Sequence, residues 1–440
     1  MESLFEREGN RLVRRHDSET LWIESWGADA FRLRATRQAS MPEGDWALLP
    51  PAEGETLIEI DGDRASVSNG RIRAEVDAEG RIAFSDREGG VLLREYERNW
   101  SSALNPSALK VFPREFSPIL GGDYRLTCRF ESDPRERIFG MGQYQQDCLD
   151  LKGCSLELAH RNSQASVPFA LSSLGYGFLW NNPAVGQAVF GKNLTEWRAH
   201  STKALDYWIV AGESPARIEE AYARATGTAP MMPEYGMGFW QCKLRYRNQA
   251  ELLEIAREYK RRGLPVSVIV VDFFHWTKQG EWGFDPEYWP DPEAMARELA
   301  GMGIELMVSI WPTVDVTSAN YGEMLRKGYL VRVDRGVRTT MQFCGDTVFY
   351  DATNPGARDY LWRKVKEEYF DKGVRLFWLD EAEPEYTAYD FDNYRYYLGP
   401  NLQVGNIYPA LHAKAFYDGM REAGIEAPMN LARCAWAGSQ

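Results

Sequence analysis

The chain has 440 residues, 44% of them hydrophobic, and a formal net charge of −13 at pH 7. That length points to roughly two or three domains, with apolar content ample for sizeable cores and against wholesale disorder. The acidic balance argues against nucleic acid or an anionic membrane as partner, since both need a basic footprint.

The N-terminus, Met1–Glu8, is charged and lacks the apolar core of a signal peptide. No apolar run approaches the roughly 18–20 residues that a membrane span requires. Six cysteines (Cys128, Cys148, Cys154, Cys242, Cys344, Cys434) are scattered without metal spacing or a disulfide framework, and buried thiols are the expectation. A cytoplasmic location fits these features best. The 15 Trp and 22 Tyr suit either large cores or stacking against the C–H faces of sugars.

Up to about residue 230 the sequence reads as β-structure. Thr56–Ile60, Arg71–Val76, Arg81–Phe84, Val91–Arg94 and Tyr124–Phe130 are short, partly alternating segments. Asp61-Gly62, Asn69-Gly70, Glu79-Gly80 and Gly89-Gly90 supply hairpin chemistry between them. An antiparallel β-sandwich over 1–230 follows. A connecting helix is expected over Pro215–Arg224, with Ser214 as N-cap and Pro215 in the first helical position.

After Pro230 and Pro233 the period changes. Tyr235–Gln241 is short and apolar, and Gln249–Arg262 repeats apolar residues at helical spacing until Gly263. Val266–Phe274 is a nearly unbroken apolar run, as in a parallel strand buried on both faces. A helix capped by Asp291-Pro292 runs to Leu299, and a strand follows over Glu305–Trp311. The remaining elements are a helix over Pro355–Tyr369, a strand over Arg375–Leu379, a helix over Pro409–Glu422 and a strand over Pro428–Arg433. Alternating strands and helices imply an α/β barrel or a doubly wound sheet over 231–440. About five strands are readable, where a closed barrel takes eight.

Carboxylates gather where apolar strands end. In Arg375-Leu376-Phe377-Trp378-Leu379-Asp380-Glu381-Ala382-Glu383-Pro384 an apolar stretch runs into acids, and proline then turns the chain. In a barrel this is the C-terminal rim, where catalytic groups sit. A lone Asp after a strand serves equally well as a helix N-cap or a surface acid. The cluster of like charges with Glu381, Glu383 and Glu385 raises carboxyl pKa values unless each finds a partner, and function is a common reason to tolerate that. Trp378, two residues before Asp380, can point the same way.

Asp272 closes another apolar strand, and packing explains a charge there poorly; the alternative is an internal salt bridge. Trp311 closes the third strand, with plain core packing as its alternative. Arg433 ends the fifth, where its planar fork suits a carboxylate or a sugar hydroxyl. His275 and His412 lack the spaced partners a metal needs and read as structural. Gly140-Met141-Gly142-Gln143 reads as a tight turn, not a nucleotide-binding fingerprint. No metal or organic cofactor is expected.

The segment around Asp380 resembles the nucleophile segment of glycoside hydrolase family 31, whose members cleave α-linked glucose or xylose. The resemblance extends from about residue 65 to the end. It includes Arg137–Gln143, Val167–Ser173 followed by Gly175-Tyr176-Gly177-Phe178, and Pro230 to Phe239 leading into the barrel. It implies a galactose-mutarotase-like sandwich and a (β/α)8 TIM-type barrel. Asp380 then matches the catalytic nucleophile of a retaining enzyme, and Glu383 an acid that supports the nucleophile loop. Asp272 matches the carboxylate that binds sugar hydroxyls, Trp311 the aromatic wall of the innermost subsite, and Arg433 an arginine that binds sugar near the nucleophile. Trp378 is grouped with the substrate-binding residues.

Phe273-Phe274-His275-Trp276 and Asp380-Glu381-Ala382-Glu383-Pro384 look more like the bacterial α-xylosidase form than that of many α-glucosidases. An oligosaccharide substrate is implied, while homo-oligomerisation is left open. The family's general acid follows a stretch like Arg433–Gln440, so it is expected beyond Gln440, and these residues alone are expected to be inactive. The alternatives are α-glucosidase, transglycosylase or lyase chemistry on the same nucleophile, or a non-catalytic sugar-binding protein.

Overall fold

The computed structural model describes residues 4–51, 56–99, 110–334, 341–387 and 389–440; Met1–Ser3, the start of the charged N-terminus, lie outside them. The first half is all-β. One antiparallel sheet has eight strands, in the order Phe5–Glu8, Arg11–His16, Glu19–Ser25, Ala30–Thr36, Leu205–Ala211, Tyr176–Trp180, Ala165–Ser172 and Ile138–Gln143. A five-stranded sheet orders Arg114–Pro118, Tyr124–Phe130, Thr195–Thr202, Gly186–Phe190 and Ser155–Leu158, and Leu57–Asp61 through Val91–Arg94 form a five-stranded meander. Inward-facing side chains of all three sheets, among them Phe31, Leu33, Val67, Phe84, Leu126 and Trp197, share one core. That is the sandwich condition, sheets packed face to face on a shared apolar layer.

The expected strands recur as Leu57–Asp61, Ile72–Val76, Ile82–Asp86, Val91–Arg94 and Tyr124–Phe130. Gly70 shows why hairpin glycines matter: its φ is +58°, and a Cβ there would lie 2.1 Å from Asp29 Oδ1. Gly140–Gln143 is a correction. It lies within the strand Ile138–Gln143, whose pairing with Ala165–Ser172 shifts register between Gly140 and Gly142. A β-bulge, not a tight turn, uses these glycines; a Cβ on Gly142 would meet Ala165 O at 2.2 Å. The cysteines are a second correction: Cys128 and Cys434 are buried, but Cys148, Cys242 and Cys344 are exposed and Cys154 is half-buried.

In the second half five parallel strands pair in chain order: Trp240–Cys242, Val268–Val271, Glu305–Ile310, Leu376–Leu379 and Asn430–Ala432. Among the described residues, these five form one sheet with the first and the fifth at its edges. Helices Gln249–Arg261, Pro292–Gly301, Pro355–Glu368 and Tyr408–Glu422 lie between them in sequence. Asn248, Asp291 and Asn354 cap three of these, each side chain accepting from a first-turn N–H.

The sheet is buried on both faces. Ile269, Val271, Val308, Ile310, Phe377 and Leu379 face the helices, while Val268, Val270, Met307 and Leu376 form a small inner cluster. This explains the unalternating apolar runs of the sequence. An antiparallel pair, Thr313–Asp315 with Thr347–Phe349, and the helix Tyr321–Lys327 are inserted between the third and fourth strands, and no sequence signal marks them.

The two halves share more than a boundary. The helix-side core of the barrel also takes in Trp26, Phe169, Leu179, Trp208 and Ile218 of the sandwich and its connecting helix. Asn406 Nδ2 donates to Leu158 O at 2.9 Å and to Ala184 O at 3.0 Å. Val185 N–H donates to Leu402 O at 3.0 Å. No helix among the described residues is long and apolar enough to cross a membrane.

Candidate active site

Parallel register brings the strand-end residues together. Ser309 pairs with Trp378, Ile310 with Leu379, and Leu379 with Ala432. One step further along the same strands stand Trp311, Asp380 and Arg433. Trp378 points to the same side as Asp380 but one layer lower, where it packs on the inner cluster of Val268, Val270, Met307 and Leu376. Asp272 leaves the second strand at the level of Ser309, by extension of the Val271–Val308 pair.

Asp380 is 5% exposed, so it is no surface acid. Its Oδ2 accepts from the Trp311 indole N–H at 3.1 Å, and its Oδ1 lies 3.1 Å from Arg433 Nη1. The second contact is an ion pair without hydrogen-bond alignment, which leaves Oδ1 free of directed donors. Burial pushes the Asp380 carboxyl above the usual carboxylate range; the Arg433 charge, the Glu381 backbone N–H and the Trp311 indole oppose it. Glu381, the next residue, has a φ of +58°, a left-handed backbone unusual for a residue with a side chain. Positions of this kind gather at functional sites.

Arg433 gathers the acids. Nε donates to Glu383 Oε1 at 2.7 Å, while Nη2 donates to Glu385 Oε2 at 2.9 Å and lies 3.5 Å from Glu381 Oε2. Glu383 therefore reaches Arg433 rather than Asp380, and its burial-raised carboxyl is held down by that guanidinium. Glu381 is pushed up to about 10 by burial first, then by a hydrogen bond with Glu385 and by the Asp380 and Glu385 charges. That environment favours the protonated form of Glu381 beside the Glu385 carboxyl. Arg433 thus faces four neighbouring carboxyl groups. Oxygens of Glu381, Glu383 and Glu385 lie within 4.8 Å of one another, a spacing a metal ion could use. Arg433 contacts all three and supplies the positive charge there.

Asp272 takes no ion pair among the described residues. Its Oδ1 accepts from its own neighbour, Phe273 N–H, at 2.7 Å. Burial pushes it up to about 6, with the Asp380 charge adding and Arg245 opposing. The rings of Phe273 and Phe274 lie 5.2 and 5.5 Å from that of Trp311, and the Arg245 guanidinium sits 5.3 Å from the Phe274 ring. Trp311 therefore both packs with other aromatics and bonds to Asp380, so neither single reading of it suffices. His275 is satisfied at both nitrogens, by Asp272 O at 2.9 Å and Tyr369 OH at 2.8 Å, and burial lowers it to about 4.

Glu381, Glu385 and Arg245 stand in the site without having been singled out for it, and so does Asn162, whose Nδ2 donates to Glu385 Oε2 at 2.7 Å. The acid run around Asp380 hinted at the two glutamates. Asn162 carried no signal, being 223 positions away in sequence.

Carboxylates, two arginines and aromatic rings thus gather at the C-terminal ends of parallel strands, the rim where barrel enzymes carry their catalytic groups. The chain belongs to glycoside hydrolase family 31. Residues 229–440 match the model of the glycosyl hydrolases family 31 TIM-barrel domain, and 20–187 that of the glycosyl hydrolase 31 N-terminal galactose mutarotase-like domain.

An uncharacterized family 31 glucosidase of Pseudescherichia vulneris is 53% identical over 98% of this chain and 83% of that protein. Alpha-xylosidase A of Aspergillus niger is 32% identical over 93% of this chain and 60% of its own length. A GH31 alpha-xylosidase from a soil metagenome, solved in complex with xylose, superposes with a TM-score of 0.96 at 55% identity, covering 99% of this chain and 66% of that one. The chain thus spans about two thirds or less of these α-xylosidases.

Proposed function

We propose that this chain carries the nucleophile of a retaining α-glycosidase, with terminal α-linked xylose as its preferred sugar. The observation that carries the reading is Asp380, buried at a strand end with a guanidinium on one oxygen and an indole N–H on the other. In the first step Asp380 attacks C1, the C1–O bond breaks and the leaving oxygen keeps the electron pair, giving a covalent glycosyl-enzyme. Water then attacks C1, loses a proton and releases Asp380 as carboxylate, with net retention. The proton for the leaving oxygen is assigned to no described residue. Asp272 accepts from sugar hydroxyls, Phe273, Phe274 and Trp311 wall the sugar, and Glu383 holds Arg433 in place.

The α-xylosidase relatives and the xylose-bound neighbour support xylose, while the P. vulneris relative bears a glucosidase name. The deciding experiment uses 5-fluoro-α-xylosyl fluoride and its glucosyl counterpart, since fluoride departs without needing a proton. The xylosyl reagent should label Asp380, identified by peptide mass, and react faster than the glucosyl one. Label on another carboxylate overturns the nucleophile assignment, and equal rates overturn the xylose preference.

Xylose affinity should also depend on pH. Burial pushes Asp272 up to about 6, and its ionised form accepts at both oxygens with no competing O–H donor. Binding, followed by tryptophan fluorescence, should tighten as pH rises through about 6. Asp272→Asn should weaken binding and flatten that profile; a steep profile in the Asn variant would assign the titration elsewhere.

A further inference from the structure

Glu385 is fixed from both halves of the protein at once. Its Oε2 accepts from Arg433 on the barrel side and from the Asn162 amide on the sandwich side, at 2.9 and 2.7 Å. Asn162 belongs to the turn between the strands Ser155–Leu158 and Ala165–Ser172, closed by a bridge from Arg161 to Gln164. That turn is anchored independently of Glu385. Asn162 N–H donates to Tyr389 OH at 3.1 Å, and the Arg161 guanidinium lies 4.5 Å from the Tyr389 ring. Glu157 grips Arg161 through two bonds, at 2.6 and 2.9 Å. The Asn162 amide therefore arrives at Glu385 on a braced support.

The consequence runs through Arg433. Its Nη2 serves Glu385 and Glu383 and lies near Glu381, while Nη1 lies against Asp380 Oδ1. A planar guanidinium moves as one body, so holding Nη2 on Glu385 also holds Nη1 on Asp380. Asn162 supplies a neutral donor to Glu385 where a second cation would compete with Arg433.

We infer that Asn162, contributed by the sandwich, and Glu385 are positioning residues for Asp380, acting through Arg433. The inference rests on the reading of Asp380 as nucleophile. The charged and titratable groups around Asp380 are Asp272, Glu381, Glu383, Glu385, Arg433 and Cys434. Glu385 is among those that raise the Asp380 carboxyl.

The test measures the rate of Asp380 labelling by 5-fluoro-α-xylosyl fluoride across pH, in the wild type and in Asn162→Asp, Asn162→Ser and Glu385→Gln. Asn162→Asp sets a carboxylate against Glu385, and misplacing a reacting group on this scale costs about ten- to a hundredfold. Labelling should slow by that factor, and its acid limb should move to higher pH. Asn162→Ser, which keeps a small donor, should retain an intermediate rate. Glu385→Gln should also slow labelling but move the acid limb to lower pH, because one negative charge is gone. Opposite movements of the limb are not produced by a general loss of stability. If the wild type is labelled at Asp380 and all variants match it in rate and limb, the inference is overturned while the nucleophile stands. If the wild type is labelled elsewhere, both fall. Should Asn162→Asp fail to fold, Asn162→Ser and Glu385→Gln decide.

Discussion

Asp380→Ala is expected to reduce fluoride release from α-xylosyl fluoride by on the order of 10⁴-fold or more, the scale on which removing a nucleophile acts. Two features make the effect large. The carboxylate is the attacking group, and its companions are poor replacements: Glu383 is held by Arg433, and burial and neighbouring acids push Glu381 toward its neutral form. The alanine also opens space on the side of C1 from which Asp380 attacks. Azide, a small anionic nucleophile, should enter there and restore part of the rate, yielding the β-xylosyl azide. A variant that keeps a tenth of the wild-type rate without azide would rule Asp380 out.

Arg433→Met should produce the largest change in stability. The substitution keeps much of the apolar stem and removes the cation that, among the described residues, faces Asp380, Glu381, Glu383 and Glu385 together. Breaking a buried ion pair by deleting one partner costs about 3–5 kcal/mol. The pH dependence has a definite sign. Burial already raises the carboxyls of Asp380, Glu381 and Glu383, and without the cation they rise further above their unfolded values. A group raised in the fold stabilises below its unfolded pKa, and that contribution is lost as pH rises through the folded one. The deficit of the variant should therefore be largest near pH 8 and shrink as pH falls toward 4. Arg433→Lys, which keeps the charge but not the fork, should lie between. Urea denaturation of the three proteins at pH 8 and pH 5 measures this. A methionine variant as stable as the wild type at pH 8 would show that the four acids manage without the arginine.

Much of the site was readable in sequence because strand ends announce themselves. Val268–Val271, Glu305–Ile310 and Leu376–Leu379 are apolar runs buried on both faces, so the first polar or aromatic residue beyond each marks the rim. Asp272, Trp311 and Asp380 were found that way, and Arg433 beyond the short fifth strand. What stayed hidden depends on pairings distant in sequence. Nothing near Asn162 marks it as a partner of Glu385. Nor does any periodicity reveal that the Glu381 carboxyl is pushed up, since that follows from burial and from Glu385 four residues on. The Gly140–Gln143 segment was misread for a local reason: two glycines suggest a turn, and a bulge inside a strand uses the same positive φ angles. Trp378 shows the limit of alternation, which gives a side chain's direction but not its depth in the sheet.

The core that runs from Trp26, Phe169 and Trp208 into the barrel helices has a bearing on how such a protein can be recombined. A crossover near residue 230 would leave each parent's half of one hydrophobic mosaic facing a stranger's. It would also separate Asn162 from Glu385, and Leu158 and Ala184 from Asn406. Such chimeras should succeed only between parents that share these pairs, so sandwich and barrel are best exchanged together.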